Sequence, residues 1–177
     1  MAIPRNLANI APHVAGSSGG ITGLTFNATQ SASADANTLD DYEEGTWTPT
    51  LVASGATIGN LNTSGRYIKV GRSVTLYGYI QQYVSAGGGA NAVTITGVPF
   101  TSQSGITIAG GQGVIGSFID NANGFSISFK LTSSSTTIEY LKYINDSGTS
   151  KVDSVKSTDI TNANHSIQFS FSYLAGT

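Results

Sequence analysis

Arg66-Tyr-Ile-Lys-Val-Gly-Arg-Ser-Val-Thr-Leu-Tyr-Gly-Tyr-Ile-Gln-Gln-Tyr83 decides the fold class of this chain. Arg66 to Val70 reads as one strand and Gly71-Arg72 as a tight connection. Ser73 to Tyr83 reads as a long second strand, so the stretch predicts a β-hairpin. Along that second strand Val74, Leu76 and Ile80 share one face. Thr75, Tyr77, Tyr79, Gln81 and Tyr83 share the other. A period of two marks a strand with one apolar face that must be covered.

The same period recurs on both sides of the hairpin. Trp47 to Leu51 reads as a strand whose Pro49 implies an edge or a strand end. Gly87-Gly-Gly89 reads as a loop, Ala92 to Thr96 as a strand and Gly97-Val-Pro99 as a turn. Ile106 to Ala109 and Val114 to Ile119 read as two strands separated by a loop at Gly110-Gly-Gln-Gly113. Asn121-Ala-Asn-Gly124 is a strong turn signal. Phe125, Ile127, Phe129 and Leu131 then alternate with Ser126, Ser128 and Lys130. Thr136 to Ile144 follows, closed by Asn145-Asp-Ser-Gly148, and the chain ends on Ile167, Phe169, Phe171 and Tyr173. About eight or nine strands with frequent turns predict an all-β fold, an antiparallel β-sandwich or jelly roll over residues 46–177.

Composition agrees with sheets rather than helices. Charged residues make up only 10% of the 177 residues, against about 25% in an ordinary soluble protein. Gly, Ser and Thr with scattered Val, Ile, Tyr and Phe favour strands and turns. The net charge of −2 and the absence of any basic cluster speak against nucleic acid as a partner. No apolar run is long enough for a membrane-spanning helix, so membrane insertion is not expected. There is no Cys, which excludes disulfides and thiolate metal sites. So few charges also imply a surface partly covered by other protein.

Residues 1–45 read as an extended N-terminal arm and junction. Ile3, Leu7 and Ile10 have helix-like spacing over two turns, interrupted early by Pro4 and followed by Arg5. Ala15-Gly-Ser-Ser-Gly-Gly20 is a flexible linker by composition. Residues 31–37 have no large side chain to bury. Ordering such backbone costs about 1–2 kcal/mol per residue. Docking onto a larger assembly would offset that cost, and so would folding back over the chain's own domain.

The acidic group Asp40, Asp41, Glu43 and Glu44 is a candidate for Ca²⁺. It lacks the Asp-x-Asp-x-Asp-Gly loop, and adjacent acids on an extended chain point to opposite sides. A solvated junction, or ion pairs to a neighbour, fits better. A glycosidase pair needs two carboxylates facing across a cleft, and the later acids lie mostly in or beside turns. His13 and His165 lack zinc spacing, and no Gly-x-Ser-x-Gly elbow supports a catalytic triad. No catalytic residue, cofactor or metal is therefore expected. The stripe Tyr77, Tyr79 and Tyr83 is the surface candidate. Tyr joins a large apolar body to a polar tip, which suits a core face, a subunit interface or a sugar-stacking surface.

Leu39-Asp-Asp-Tyr-Glu-Glu-Gly-Thr-Trp-Thr-Pro-Thr-Leu51 resembles a segment of tailed-bacteriophage fibre and tail proteins, where it opens a β-rich C-terminal module. The resemblance extends to Gly65-Arg-Tyr-Ile-Lys-Val-Gly-Arg-Ser-Val74 and to the turn Gly97-Val-Pro-Phe100. Met1-Ala-Ile-Pro-Arg-Asn-Leu-Ala-Asn9 is similar to the start of some such proteins. The motif residues are Leu39, Asp40, Asp41, Tyr42, Glu43, Glu44, Gly45, Trp47 and Pro49. The resemblance implies a non-enzymatic, homotrimeric virion protein, synthesised in the cytoplasm of a bacterial host. It implies partners among other virion proteins, reached through the arm, and a host glycan or surface protein. A capsid decoration or cement protein is the alternative. A glycan-degrading tailspike is a distant third.

Overall fold

The computed structural model describes residues 41–85, 91–105, 108–116, 126–146, 149–159 and 164–176. The arm positions Ile3, Pro4, Arg5, Leu7 and Ile10, the motif positions Leu39 and Asp40, the loop at 87–89 and the turn at 121–124 lie outside them. From Glu43 onward the described residues belong to one compact unit.

Among the described residues ten strands follow one another: β1 (Tyr42–Trp47), β2 (Thr50–Ala53), β3 (Thr57–Val70), β4 (Ser73–Ser85), β5 (Val93–Thr96), β6 (Ile108–Gly116), β7 (Ser126–Leu131), β8 (Ile138–Asp146), β9 (Thr149–Ser154) and β10 (Asn164–Leu174). A short 3-10 turn at Ser157–Asp159 is the sole helical element among the described residues. Hydrogen-bonded neighbours run in the order β1-β3-β4-β10-β6-β7-β8-β5-β2, with β9 added on β8. Both ends of this path are successive in sequence, joined at Thr48-Pro49. The path therefore returns almost to its start.

It bends at β6. Residues Gln112 to Gly116 pair with β10, while Ile108 to Gly111 pair with β7, and the register shifts between Ala109 and Gly111. Gly110-Gly-Gln-Gly113 is thus the middle of a strand, not the loop that its composition predicts. Glycine lets the backbone take the irregular step that carries a strand from one sheet to another. The result is an all-β, antiparallel architecture consistent with a β-sandwich.

The β3–β4 hairpin forms as expected, with Gly71 at φ +55° in its turn. Other elements differ from the expectation. The strand placed at Trp47–Leu51 is two strands, because Pro49 offers no N–H and the chain turns there. β3 starts at Thr57, well before Arg66, through a segment rich in Gly, Asn and Ser that has poor strand propensity. β9, Thr149–Ser154, forms in a polar segment that carries no strand signal in the sequence.

One core joins the two sheets. Register sets Ile167 opposite Ile80, Phe169 opposite Gly78, Phe171 opposite Leu76 and Tyr173 opposite Val74. From the other sheet Leu51, Ile95, Phe129, Leu131, Ile138 and Tyr140 meet them, all buried. The Phe129 ring stacks on Tyr140 at 5.2 Å and lies 5.2 Å from Phe169. Each such buried side chain contributes about 1.5–3 kcal/mol. Asn60 ties β3 to β2 where no ladder does. Its amide oxygen accepts from Leu51 N at 3.2 Å, and its amide nitrogen donates to Leu51 O at 3.5 Å. The side chain thus imitates a strand across the seam, beside the bulge at Asn60/Asn62.

Candidate functional site

Residues of β1, of the β3–β4 hairpin and of the turn at 97–100 meet at one place. On β1 the residues Glu43, Gly45 and Trp47 share one face by alternation. Glu43 Oε1 accepts from Tyr67 Oη at 2.5 Å. A Cβ on Gly45 would lie 2.6 Å from that same hydroxyl, so the tyrosine lies over the glycine. Trp47 covers Gly65 in the same way, at 2.3 Å from a notional Cβ. Tyr67 meets the Phe100 ring edge-on at 5.2 Å, and Lys69 Nζ lies 5.4 Å from that ring. Tyr173 Oη donates to Phe100 O at 2.7 Å. Gly97, at φ +92°, lies against the carbonyl of Thr48.

This assembly ties β1 to β3 and to the 97–100 turn. The hydrogen bond to Glu43, and then burial, push the Tyr67 hydroxyl up to about 12. Burial pushes Tyr173 upward too. Burial alone raises Tyr140. Of the acidic group, Asp41 is buried, while Glu43 and Glu44 are exposed. Among the described residues no cluster of three His, Asp or Glu is placed to hold a metal ion. No helix is long and apolar enough to cross a membrane, again among the described residues. The His165 side chain, and His13 altogether, lie outside those residues.

The Tyr stripe is on the outside. Tyr77 is 50% exposed and Tyr83 45% exposed, and Tyr79 is half-buried. The stripe is therefore not a second core face. Register places its neighbours. Arg66, Tyr77 and Ser170 form one outward row across β3, β4 and β10, and Ser64, Tyr79 and Gln168 form the next. Between them lies the inward row Gly65, Gly78 and Phe169. Those six outward residues line an open depression of about 830 Å³, whose rim also includes Thr46 and Thr48. Tyr83 lies further along β4, opposite Gly59 and Asn164 and away from the depression.

Tyr77 and Tyr79 were visible in the sequence by alternation alone. Gln168 and Ser170 were not, because only the strand register brings β10 against β4; Arg66 lies on β3, set opposite Tyr77 by the hairpin. A second outward group occupies one end of the same sheet. Val70 and Leu174 both oppose Ser73, with Ile68 in the next row opposite Thr75, and all three are exposed.

No protein-family model, curated protein or solved structure matches this chain.

Proposed function

We propose that this chain is a non-enzymatic virion protein of the tailed-phage fibre type, a short trimeric fibre or fibre tip. In this reading a jelly-roll-like module presents the outer face of β3, β4 and β10 to the host surface, and the N-terminal arm holds the module to the particle. The observation that carries the reading is the depression around Tyr77 and Tyr79. Two aromatic rings stand among hydroxyls, an amide and one guanidinium, on rigid strands. Surfaces of this kind bind ligands by stacking and directed hydrogen bonds. The resemblance of residues 39–51, 65–74 and 97–100 to phage fibre modules supports the virion assignment.

The test is direct. Fluorescently labelled protein is added to cells of the bacterium that the parent particle infects. Saturable binding that competes with particle adsorption is expected. Absence of binding, with native fold retained, refutes the host-contact role.

The cement alternative draws on a different observation. Exposed Ile68, Val70 and Leu174 sit together at the far end of the same face. Apolar residues so placed fit contact with protein better than contact with sugar. Within the fibre reading they serve the trimer interface. Imaging of the particles separates the two: density at a tail tip fits a fibre, and density repeated over the capsid lattice fits cement.

A further inference from the structure

The depression contains one charge and leaves it unanswered. Arg66 is exposed, directly opposite Tyr77, and among the described residues no carboxylate pairs with it. Most other described cations are occupied, the exception being exposed Lys151 on β9, which does not line the depression. Lys130, Lys142 and Lys156 face Glu139, Asp159 and Asp153, Lys69 lies over Phe100, and Arg72 Nε donates to Ala175 O. No Asp or Glu lines the depression. A guanidinium with five donors and no acceptor of its own is matched to a carboxylate, which it holds through two parallel hydrogen bonds.

The neighbours narrow the anion. Directly paired residues on adjacent strands have Cβ atoms about 4.5–5.5 Å apart. An anion on Arg66 therefore has the rest of its molecule beside the ring of Tyr77. Ser64, Gln168 and Ser170 supply hydroxyl and amide groups that donate and accept, as sugar hydroxyls require. The chain as a whole is negative, at −2, so a long polyanion has no general attraction to it. One local cation, an aromatic face and neutral polar groups select a ring that carries a single carboxylate on its edge.

We propose that the depression binds a carboxylate-bearing sugar, a hexuronic or sialic acid unit of a cell-surface polysaccharide. The carboxylate lies on Arg66 and the ring stacks on Tyr77. This rests on the host-contact reading and adds the ligand class.

The experiment uses the full chain on a panel of immobilised oligosaccharides with hexuronate, sialate and neutral members. Bound members are also presented after chemical reduction of their carboxyl groups to alcohols. Binding confined to carboxylated members, lost on reduction, supports the proposal. Arg66→Gln should weaken it about tenfold or more, and Arg66→Lys less, because the two-point fork is lost but the charge stays. Tyr77→Ala should weaken binding to every bound member. Equal binding before and after reduction overturns the proposal, and so does a panel in which no carboxylated member binds. The cell-binding assay keeps the two claims apart. Cells bound without any carboxylated glycan remove the ligand class alone; cells not bound remove the host-contact reading as well.

Discussion

The indole Nε1 of Trp47 donates to the main-chain carbonyl of Tyr77 at 3.1 Å. The indole starts on β1, crosses Gly65 of β3 and reaches β4. It thereby holds from inside the strand whose outer face carries the tyrosines. Gly65 and Gly78 are direct partners, and both lack a side chain where the rings of Trp47 and Phe169 lie. Trp47 of β1 thus acts as a support of the depression.

Trp47→Phe keeps an aromatic ring and removes the donor. A loss of about 1–3 kcal/mol is expected from the hydrogen bond and the smaller ring together. Urea denaturation measures it, and an unchanged midpoint would contradict this role for Trp47.

Gly78→Ala should destabilise by about 1–3 kcal/mol through overpacking. Its Cβ would lie 2.3 Å from Phe169 Cζ. That ring is confined by Phe129 at 5.2 Å and Trp47 at 6.1 Å, so it has no free space to retreat into. Gly71→Ala is the informative comparison. Nothing lies within 4 Å of its notional Cβ, so its cost comes only from the left-handed backbone. A thermal melt of both variants distinguishes crowding from backbone strain.

Asn60→Ala should open the seam between β3 and β2. Two hydrogen bonds to Leu51 disappear, and the partners they leave cost about 1–3 kcal/mol. Hydrogen exchange at Leu51 reads the effect locally, with faster exchange expected there than in β4.

Stability should fall at high pH. Tyr67 titrates near 10 when unfolded and at about 12 when folded. The folded state holds the proton more tightly, so the associated stability is fully present below about pH 10 and is lost as pH rises through about 12. Tyr67→Phe has no proton to lose. Its denaturation midpoint should decline less steeply over that window, and an identical decline in both proteins would contradict the assignment.

The sequence made much of this fold legible because alternation is local. Val74, Leu76 and Ile80 against Tyr77 and Tyr79 declare their faces without any partner, and so do Ile167 to Tyr173. Where glycine replaces the side chains that carry the pattern, the reading fails: Gly110 to Gly113 look like a loop and lie within β6. The first half of β3 and all of β9 were hidden because their neighbours, not their propensities, hold them in the sheet. Trp47 was conspicuous as the only Trp, but its reach to Tyr77 depends on β3 lying between them. Arg66 gave no signal of its own, since its meaning comes from Tyr77 opposite it and from the lack, among the described residues, of an acid paired with it.

The central claim is that the outer face of β3, β4 and β10 is the contact surface. Its most direct test is host-cell binding by Tyr77→Ala/Tyr79→Ala beside the parent protein. Both side chains point outward, so the variant should keep its thermal midpoint within a few degrees, as surface substitutions do. Loss of most cell binding with the fold intact is the result expected. Full binding by the folded double variant would place the contact surface elsewhere and contradict the account.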